Sequence, residues 1–289
     1  MSSEKNTDLK ERIAELEEEL RKKDSELITY RKELVDVSRK LDGLMGQILN
    51  DIKILNLVQK QIVPTEIPKI AGVEISKKFV YGDVVGGDYF DIFEHNDKFK
   101  FGLLVASSSG YSMSALFMSL MLKMTHVIEA KKGVSPESIL QNIAKELKDL
   151  AGPTEFSSAF YGVIDRRDFS LTFCSVGDVS GFYLDDKSTL HILKSKNKPI
   201  SQGYSEKLTQ IQLDLAPKSK LCILTEGITS ILGYEKISKI IQQNSKNTVH
   251  ELRNDLLFEA QKITKRETPE RDQTGIVLAA KERVIKLAK

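Results

Sequence analysis

The sequence predicts an α+β domain of two packed antiparallel sheets with helices outside them, preceded by a long coiled-coil helix. Short apolar runs of strand length, separated by polar turns, follow one another from residue 73 onward, and helical patterns occur between them in pairs. Before residue 64 the apolar residues instead recur every three or four positions. We therefore assign residues 1–63 to a coiled coil and linker helix, and residues 64–289 to one large domain.

The first segment has the apolar spacing of a coiled coil. One register holds Ile13, Leu20, Leu27, Leu34, Leu41, Ile48, Leu55 and Ile62, and its companion holds Leu9, Leu16, Lys23, Tyr30, Val37, Leu44, Asp51 and Val58. The steps alternate between three and four residues, which places both registers on one seam. The stripe predicts a homodimer, because eight apolar heptads are unfavourable in water; a single long solvated helix is the alternative. The pattern does not fix the number of helices in the coil.

The second half of this helix is apolar on more than the seam. The additional apolar residues are Met45, Leu49, Ile52, Ile54, Leu57 and Val63. A helix that is apolar on several sides is buried on several sides. We expect this part to pack both on its partner helix and on the domain that follows it. Pro64 ends the helix.

Composition excludes several classes of function. The 43 basic and 41 acidic residues nearly cancel, so no electrostatic feature favours nucleic acid or an anionic membrane as a partner. The N-terminus has no apolar signal segment, and no apolar run is long enough to span a membrane, so a cytoplasmic protein is expected. Cys174 and Cys222 lie in apolar runs, which favours buried thiols over a disulfide.

The domain is predicted to contain ten strands and four helices. The strands are Val73–Val80, Tyr89–Phe93, Phe99–Val105, Ser158–Ile164, Ser170–Val176, Gly181–Leu184, Thr189–Leu193, Leu208–Leu213, Lys220–Leu224 and Thr274–Ala280. The helices are Ser112–Glu129, Ser135–Leu150, Tyr234–Gln243 and Val249–Thr264. Ser135 is an expected N-cap, since Pro136 follows it at the first helical position.

One stretch, residues 84–115, organises the rest of the domain. It contains Gly86-Gly87-Asp88-Tyr89-Phe90-Asp91 at the start of one strand and Ser107-Ser108-Ser109-Gly110 at the end of the next. In an antiparallel hairpin these two points lie side by side. The glycines permit a close backbone approach or a positive φ; an ordinary glycine turn before a strand is the alternative explanation.

The stretch resembles the SpoIIE/RsbU-like branch of the metal-dependent (PPM-type) serine/threonine phosphatases. The glycine-rich hexapeptide is the most distinctive element, and the helix end Val58-Gln59-Lys60-Gln61-Ile62-Val63-Pro64 is similar too. Leu224-Thr225-Glu226-Gly227 is similar to a Thr-Asp-Gly motif, and Arg271-Asp272-Gln273-Thr274 to an Asp-Asp-x-Thr motif. The resemblance covers roughly residues 57–280. It implies a four-layer α-β-β-α sandwich.

The resemblance also implies a metal site. In the family, four carboxylates hold two Mn²⁺ or Mg²⁺ ions, and a metal-bridging water attacks the phosphate. The positions that correspond to these four carboxylates are Asp88, Ser107, Glu226 and Arg271. The residues at the second and fourth of these positions are not acidic. A one-residue slip would bring Asp272 into the fourth place. The motif glycines are Gly86, Gly87, Gly110 and Gly227.

These replacements weaken the predicted metal site of Asp88, Glu226 and Asp272. Divalent cations prefer oxygen ligands, and each lost carboxylate removes attraction for a doubly charged ion. The serine hydroxyl is neutral and the guanidinium of Arg271 is positive. Two-metal hydrolysis needs both ions. We therefore expect a phosphatase fold with a degenerate site and assign no catalytic residue.

Two functions remain open. The first is a regulatory or binding module in partner-switching signalling, which binds a serine-phosphorylated antagonist or another signalling protein and needs no cofactor. The second is an active Mn²⁺- or Mg²⁺-dependent phosphatase that uses Asp88, Glu226, Asp272 and Asp91. Arg271 either forms an ion pair with Asp88 or Glu226, or lines a metal-free phosphate pocket with the serines at 107–109. The sequence identifies neither the phosphorylated partner nor the input signal.

Overall fold

A computed structural model describes residues 2–82, 87–109, 127–149 and 151–281. The contacts divide the chain into two compact units, Met1–Ile54 and Leu55–Lys289. This division falls nine residues before the predicted boundary at residues 63 and 64, which stays a prediction.

The helices and strands follow the predicted order. The helices are α1 (Ser2–Ile62), α2 (Val127–Lys131), α3 (Pro136–Leu147), α4 (Glu226–Gln243) and α5 (Val249–Thr264). The strands are β1 (Val73–Val80), β2 (Tyr89–Glu94), β3 (Lys100–Ser108), β4 (Phe156–Asp165), β5 (Ser170–Val176), β6 (Ser180–Leu184), β7 (Leu190–Leu193), β8 (Ile200–Ser201), β9 (Ile211–Asp214), β10 (Lys220–Leu224) and β11 (Gln273–Ala280).

The strands form two antiparallel sheets, which confirms the predicted sandwich. One sheet has the order β1-β11-β10-β6-β7, and the other has the order β2-β3-β4-β5-β9 with β8 beside β4. A core cluster between the sheets includes Phe90, Phe160 and Ile276. Further clusters join the second sheet to α3 and the first sheet to α4 and α5. Two sheets with helices on both outer sides make four layers.

Alternation along β2 determines which way the site residues face. Phe90 and Ile92 belong to the core between the sheets, whereas Tyr89 and Phe93 pack toward α3. Successive side chains on a strand point to opposite faces. Asp88 is therefore on the inter-sheet side of its strand.

Several predicted boundaries are wrong: β3 ends at Ser108, not Val105, and strand β8 was not predicted. Two displaced starts have a clear cause. Helix α4 begins at Glu226, not Tyr234, because it continues directly from the N-cap Thr225 and bends at Gly233, whose φ is 70°. Strand β9 begins at Ile211, not Leu208, because the Leu208 N–H donates to the side chain of Gln141 and not to a neighbouring strand. Most of the predicted helix Ser112–Glu129 lies outside the described residues, and only its end is seen, within α2.

Helix α1 is a continuous α-helix, and the apolar residues of its seam are exposed from Ile13 to Ile48, whereas Ile62 is buried. Leu20, Leu34 and Leu41 each expose more than half of their surface. Among the described residues, no helix combines the length and the apolar character needed to cross a membrane.

A buried histidine makes the stability of the domain dependent on pH. The His95 ring stacks on Phe93, and its Nδ1 has no hydrogen-bond partner in the described part of the chain. Burial, with a smaller effect of Lys100, lowers the pKa of His95 to about 4. Because the unfolded chain binds this proton near pH 6.5, stability should be complete above that pH and fall between about pH 6.5 and pH 4.

We expect acidification from pH 7 to pH 4 to cost the wild type up to about 3 kcal/mol more than the His95→Gln variant, which cannot take up this proton. Urea unfolding at both pH values measures the difference. The control is His191→Gln at an exposed histidine. Equal pH dependence of the wild type and His95→Gln would contradict the assignment.

Candidate functional site

The site lies where four strands begin or end at one edge of the sandwich. Tyr89 pairs with Ala106, so the preceding Asp88 lies beside Ser107, and the Ser108 N–H donates to the Gly87 carbonyl at 3.2 Å. The start of β11 and the end of β10 meet the same point from the other sheet. This confirms the predicted juxtaposition of Asp88 and Ser107.

Asp88 is the centre of the site and is only 2% exposed. Its Oδ2 accepts hydrogen bonds from the hydroxyls of Thr225 at 2.7 Å and Thr274 at 2.8 Å. Burial, together with the nearby Asp272 carboxylate, raises the pKa of Asp88 to about 7, although hydrogen bonds from Ser107 and the two threonines oppose the shift. The carboxyl group is thus held by hydroxyl donors from both sheets.

The two threonines also bind each other through the backbone. The Thr274 N–H donates to Thr225 Oγ1 at 3.0 Å, and the Thr225 N–H donates to the Thr274 carbonyl at 3.1 Å. The Thr225 hydroxyl therefore accepts from β11 while it donates to Asp88. This chain of bonds joins the start of β2 to the adjoining ends of β10 and β11.

Asp272 is the second buried carboxylate, with 3% of its surface exposed. Its Oδ1 accepts the Gly82 N–H at 2.8 Å, and its Oδ2 accepts the Asp88 N–H at 3.4 Å. The side chain thus fixes the backbone on both sides of residues 83–86. Asp272 lies close to Asp88, but its two oxygens engage main-chain donors.

Glu226 and Arg271 form an ion pair at the mouth of the site. Arg271 Nη1 lies 3.0 Å from Glu226 Oε1, and the two side chains are 57% and 28% exposed. Of the two sequence-based alternatives, the structure contains the ion pair with Glu226. Arg271 also borders a cavity of about 300 Å³, together with Gly227, Ser230 and Arg266.

Two of the four motif glycines, Gly87 and Gly227, lie in the described part of the chain. Gly227 packs against β11 so closely that an added Cβ would lie 2.0 Å from the Asp272 carbonyl oxygen. Gly87 supplies the carbonyl that accepts the Ser108 N–H. Gly86 and Gly110 lie outside the described residues.

Asp91 does not belong to the site. It lies three residues after Asp88 on β2, and its Oδ2 accepts the Tyr89 hydroxyl at 3.1 Å. The Tyr89 side chain packs in the cluster toward α3, on the opposite face from Phe90. The side chain of Asp91 therefore faces away from the pocket between the sheets.

The donor set does not fit two divalent ions. Asp88 and Asp272 are bonded to hydroxyls and backbone N–H groups, and the Glu226 carboxylate is paired with a guanidinium. Within the described ranges, no three acidic, histidine or cysteine side chains are grouped so that they could hold a metal ion. Hard divalent cations prefer several oxygen ligands, so these contacts would compete with a metal ion for the same carboxylates.

Sequence reasoning missed the hydroxyl donors to Asp88. Thr225 lies in the motif Leu224-Thr225-Glu226-Gly227, one residue before Glu226. Thr274 lies in the motif Arg271-Asp272-Gln273-Thr274, two residues after Asp272. Both are almost fully buried, with 0% and 1% of their surface exposed. A threonine directly at the end or start of a strand was the available signal, but only the pairing of the two sheets shows that both reach Asp88.

The sequence matches the family described as Stage II sporulation protein E (SpoIIE) over residues 97–281. This match covers more than half of the chain and includes Ser107, Glu226 and Arg271. The chain belongs to the SpoIIE family. Asp88 and the preceding glycines lie just before the matched range.

This SpoIIE-family chain is similar to the phosphoserine phosphatase RsbU of Bacillus subtilis. The two are 23% identical over 221 residues, which cover 73% of this chain and 65% of RsbU. The chain thus spans just under two thirds of the length of this relative.

Solved structures share the fold of this SpoIIE-family chain. The PP2C phosphatase domain of SpoIIE from Bacillus subtilis, with a regulatory fragment, superposes with a TM-score of 0.62 at 18% identity over 74% of this chain and 64% of that one. The SiaA-PP2C domain of Pseudomonas aeruginosa gives 0.66 at 19% identity over 82% and 98% of the two chains. At these identities the likeness concerns the fold.

Replacing Gly227 tests the close packing of the site. We expect Gly227→Ala to destabilise the domain by about 3 kcal/mol or more, because the new methyl group collides with the backbone at Asp272. Thermal unfolding followed by circular dichroism measures the loss. Gly46→Ala, where an added Cβ meets no atom within 4 Å, is the control and should not lower the melting temperature. An unchanged melting temperature for Gly227→Ala would refute the geometry.

Proposed function

We propose that this SpoIIE-family protein is catalytically impaired and acts as a regulatory or binding module in serine-phosphorylation signalling. The observation that carries this proposal is the 3.0 Å ion pair of Arg271 with Glu226. By resemblance these two positions belong to carboxylate ligands of the family's metal ions. In this chain the two residues form an ion pair, in which Arg271 neutralises the charge of Glu226.

Electrostatics supports an impaired site. A guanidinium and a metal ion about 4 Å apart repel each other by at least roughly 1 to 4 kcal/mol in surroundings between water and a protein surface. Ser107, at the second ligand position, supplies a hydroxyl that hydrogen-bonds to Asp88 and carries no charge. Loss of attraction at one position and repulsion at another both lower affinity for Mn²⁺ or Mg²⁺.

The partner is inferred from the family. RsbU is, by its name, a phosphoserine phosphatase. The match to RsbU includes 73% of the residues of this chain. We infer that the present protein binds a serine-phosphorylated signalling protein and does not turn it over. Such a module would compete with active phosphatases for their substrate, because binding alone sequesters the phosphorylated form.

An active Mn²⁺- or Mg²⁺-dependent serine phosphatase is the second candidate. It is favoured by the proximity of two buried carboxylates, Asp88 and Asp272; burial, and then the charge of Asp272, raise the pKa of Asp88. Metal binding there would require the hydroxyl and backbone donors to give up their bonds. Asp91, on the other face of β2, does not support this candidate.

Hydrolysis and metal binding separate the two functions. We expect the wild type not to hydrolyse a generic phosphate ester above background in millimolar Mn²⁺. Ser107→Asp combined with Arg271→Asp should increase Mn²⁺ affinity at least tenfold by calorimetry, because it removes the ion pair and adds two carboxylates.

The control for this double variant is Ser25→Asp with Arg39→Asp on α1, which changes net charge equally at exposed positions outside the site. Wild-type turnover that disappears in Asp88→Ala would establish the active enzyme instead. A double variant with no gain in Mn²⁺ affinity would mean that these positions are not the ligand positions.

We further infer that α1 mediates self-association through a coiled coil. The apolar seam residues from Ile13 to Ile48 are exposed in the single chain, with Leu20 at 62% and Leu34 at 69%. An exposed stripe of this length is unfavourable in water until a second helix covers it. A paired helix connected to the domain offers a means of transmitting a signal.

Substitution of the seam tests this inference. The wild type should sediment above the chain mass of 32.5 kDa. Leu20→Glu with Leu27→Glu should shift it toward that mass, because two charges on each helix would be buried in the coil. Ser25→Glu with Thr29→Glu, at exposed positions outside the seam, adds the same two negative charges as the matched control and should leave the assembly intact. A wild type that already sediments as a single chain would end the proposal.

A further inference from the structure

A lysine-rich loop lies beside the site and takes no part in the contacts described above. It is located between β7 and β8 and reads Lys194-Ser195-Lys196-Asn197-Lys198. The three lysines are exposed, whereas the serine and the asparagine between them are half-buried. We call residues 194–198 the lysine loop.

The two half-buried residues fix the lysine loop to the second sheet. The Ser195 hydroxyl donates to the Ser175 carbonyl at 2.7 Å and accepts the Asn197 N–H at 3.0 Å. The Asn197 carbonyl accepts the Gly177 N–H at 3.1 Å, and its side-chain amide donates to Glu206 Oε2 at 3.3 Å. Because these bonds hold the loop backbone, the three lysines keep fixed positions relative to one another.

The lysine loop lies at the same edge of the sandwich as the site. Leu193, the last residue of β7, is opposite Gly181 of β6, which is opposite Ile223 of β10. Strands β7 and β10 are both antiparallel to β6, so they run in the same direction. Lys194 and Thr225 therefore both lie just beyond the ends of their strands, separated by two strand spacings, or about 10 Å.

The loop also borders the site from the second sheet. Gly177, which donates to the lysine loop, packs against Ser158 of β4. Ser158 pairs with Ser107 of β3, the neighbour of Asp88. Both sheets thus place the lysine loop next to the site.

The ammonium groups of the loop are not neutralised by the described part of the chain, where no carboxylate forms an ion pair with Lys194, Lys196 or Lys198. Lys194 Nζ lies 5.0 Å from the centre of the Tyr234 ring, a contact that leaves its charge intact. The Glu206 carboxylate accepts the backbone N–H of Lys198 at 3.0 Å and not its ammonium group. Three lysines against this one glutamate leave an excess of positive charge beside the site.

This charge fits an acidic protein segment better than a nucleic acid or a membrane. Proteins that bind a duplex through its backbone make about 6 to 10 phosphate contacts, and basic clusters that bind anionic lipids have about 4 to 8 lysines or arginines. The lysine loop has fewer, and the chain as a whole is nearly neutral. A short run of aspartate or glutamate residues supplies the complementary charge over a matching length.

We propose that the lysine loop is a docking surface for an acidic segment of the protein whose phosphoserine binds at the site. The inference rests on the proposed function for the place of the phosphoserine and adds a recognition element outside it. An extended segment covers the distance between Thr225 and Lys194 with about three residues, since each residue spans about 3.3 Å. The acidic residues of the partner then lie about three to five positions from its phosphoserine.

Fluorescence anisotropy with labelled synthetic peptides tests the proposal on the full chain. Each peptide has one phosphoserine in a flexible glycine-serine background, with three aspartates or three asparagines about three to five positions away. The aspartates precede the phosphoserine in one pair of peptides and follow it in another. Low salt strengthens exposed charge contacts, and the absence of divalent cations prevents metal-dependent loss of the phosphate.

The wild type should bind the aspartate peptide of at least one pair about tenfold more tightly than its asparagine counterpart, because three exposed charge pairs add up. Added salt should weaken this preference. Lys194→Gln combined with Lys196→Gln and Lys198→Gln should reduce it to less than about twofold. Arginine at the same three positions keeps the charge and should keep the preference.

The matched control removes three exposed lysines at the opposite edge of the sandwich. Lys98→Gln, Lys187→Gln and Lys246→Gln lie in the β2–β3 turn, the β6–β7 turn and the α4–α5 loop. This variant loses the same net charge and should bind the aspartate peptide as the wild type does. Circular dichroism should show equal melting temperatures for both glutamine variants.

Equal affinity for the aspartate and asparagine peptides, or no binding of either, would overturn the docking surface. So would a preference that persists when glutamine replaces all three lysines of the loop. Binding of phosphatidylserine vesicles without a preference among the peptides would also overturn it, in favour of a lipid contact.

Peptides with serine in place of phosphoserine separate this proposal from the proposed function. An aspartate preference that depends on the lysine loop, together with equal binding of serine and phosphoserine peptides, would leave the docking surface standing and refute phosphoserine recognition. Tighter binding of phosphoserine without an aspartate preference would have the opposite meaning.

Discussion

The domain depends on one buried carboxyl group that is bonded to both sheets. Asp88 precedes a strand of one sheet and accepts hydroxyl hydrogen bonds from Thr225 and Thr274 at two strand ends of the other. Hydrogen bonds to a charged group are worth more than neutral ones, and a buried carboxyl without partners is costly. The remaining features of the site, including the Asp272 bonds to the backbone, are arranged around this connection.

By resemblance, Ser107 and Arg271 stand at ligand positions of the family, and on that alignment the two replacements form a consistent set. Ser107 adds another hydroxyl donor to Asp88, and Arg271 neutralises Glu226 by direct contact. In each case a protein group satisfies an acid that a cation would otherwise attract. The ion pair itself is partly exposed, so it contributes little to folding stability. On the function proposed above, its importance is chemical, because it competes with a metal ion for the Glu226 carboxylate.

Local patterns predicted most of the fold, whereas contacts between distant segments were not predictable. Alternation of apolar residues located strands such as Ser170–Val176 to the residue, and the hairpin geometry placed Asp88 beside Ser107. The choice of Glu226 as the partner of Arg271, and the role of Thr225, depend on how two sheets stack. Helix α4 was placed too late because Gly227 and Gly233 have low helix propensity, yet one stands in its first turn and the other at its bend.

The closure of the site by hydroxyls and amides has a consequence for where this protein can operate. A fold whose strand ends are joined by ions loosens when chelators or competing nucleotides deplete those ions. Here the same junction is made of covalently attached donors at fixed concentration. We therefore expect this junction to keep its shape while the supply of divalent cations in the cell fluctuates.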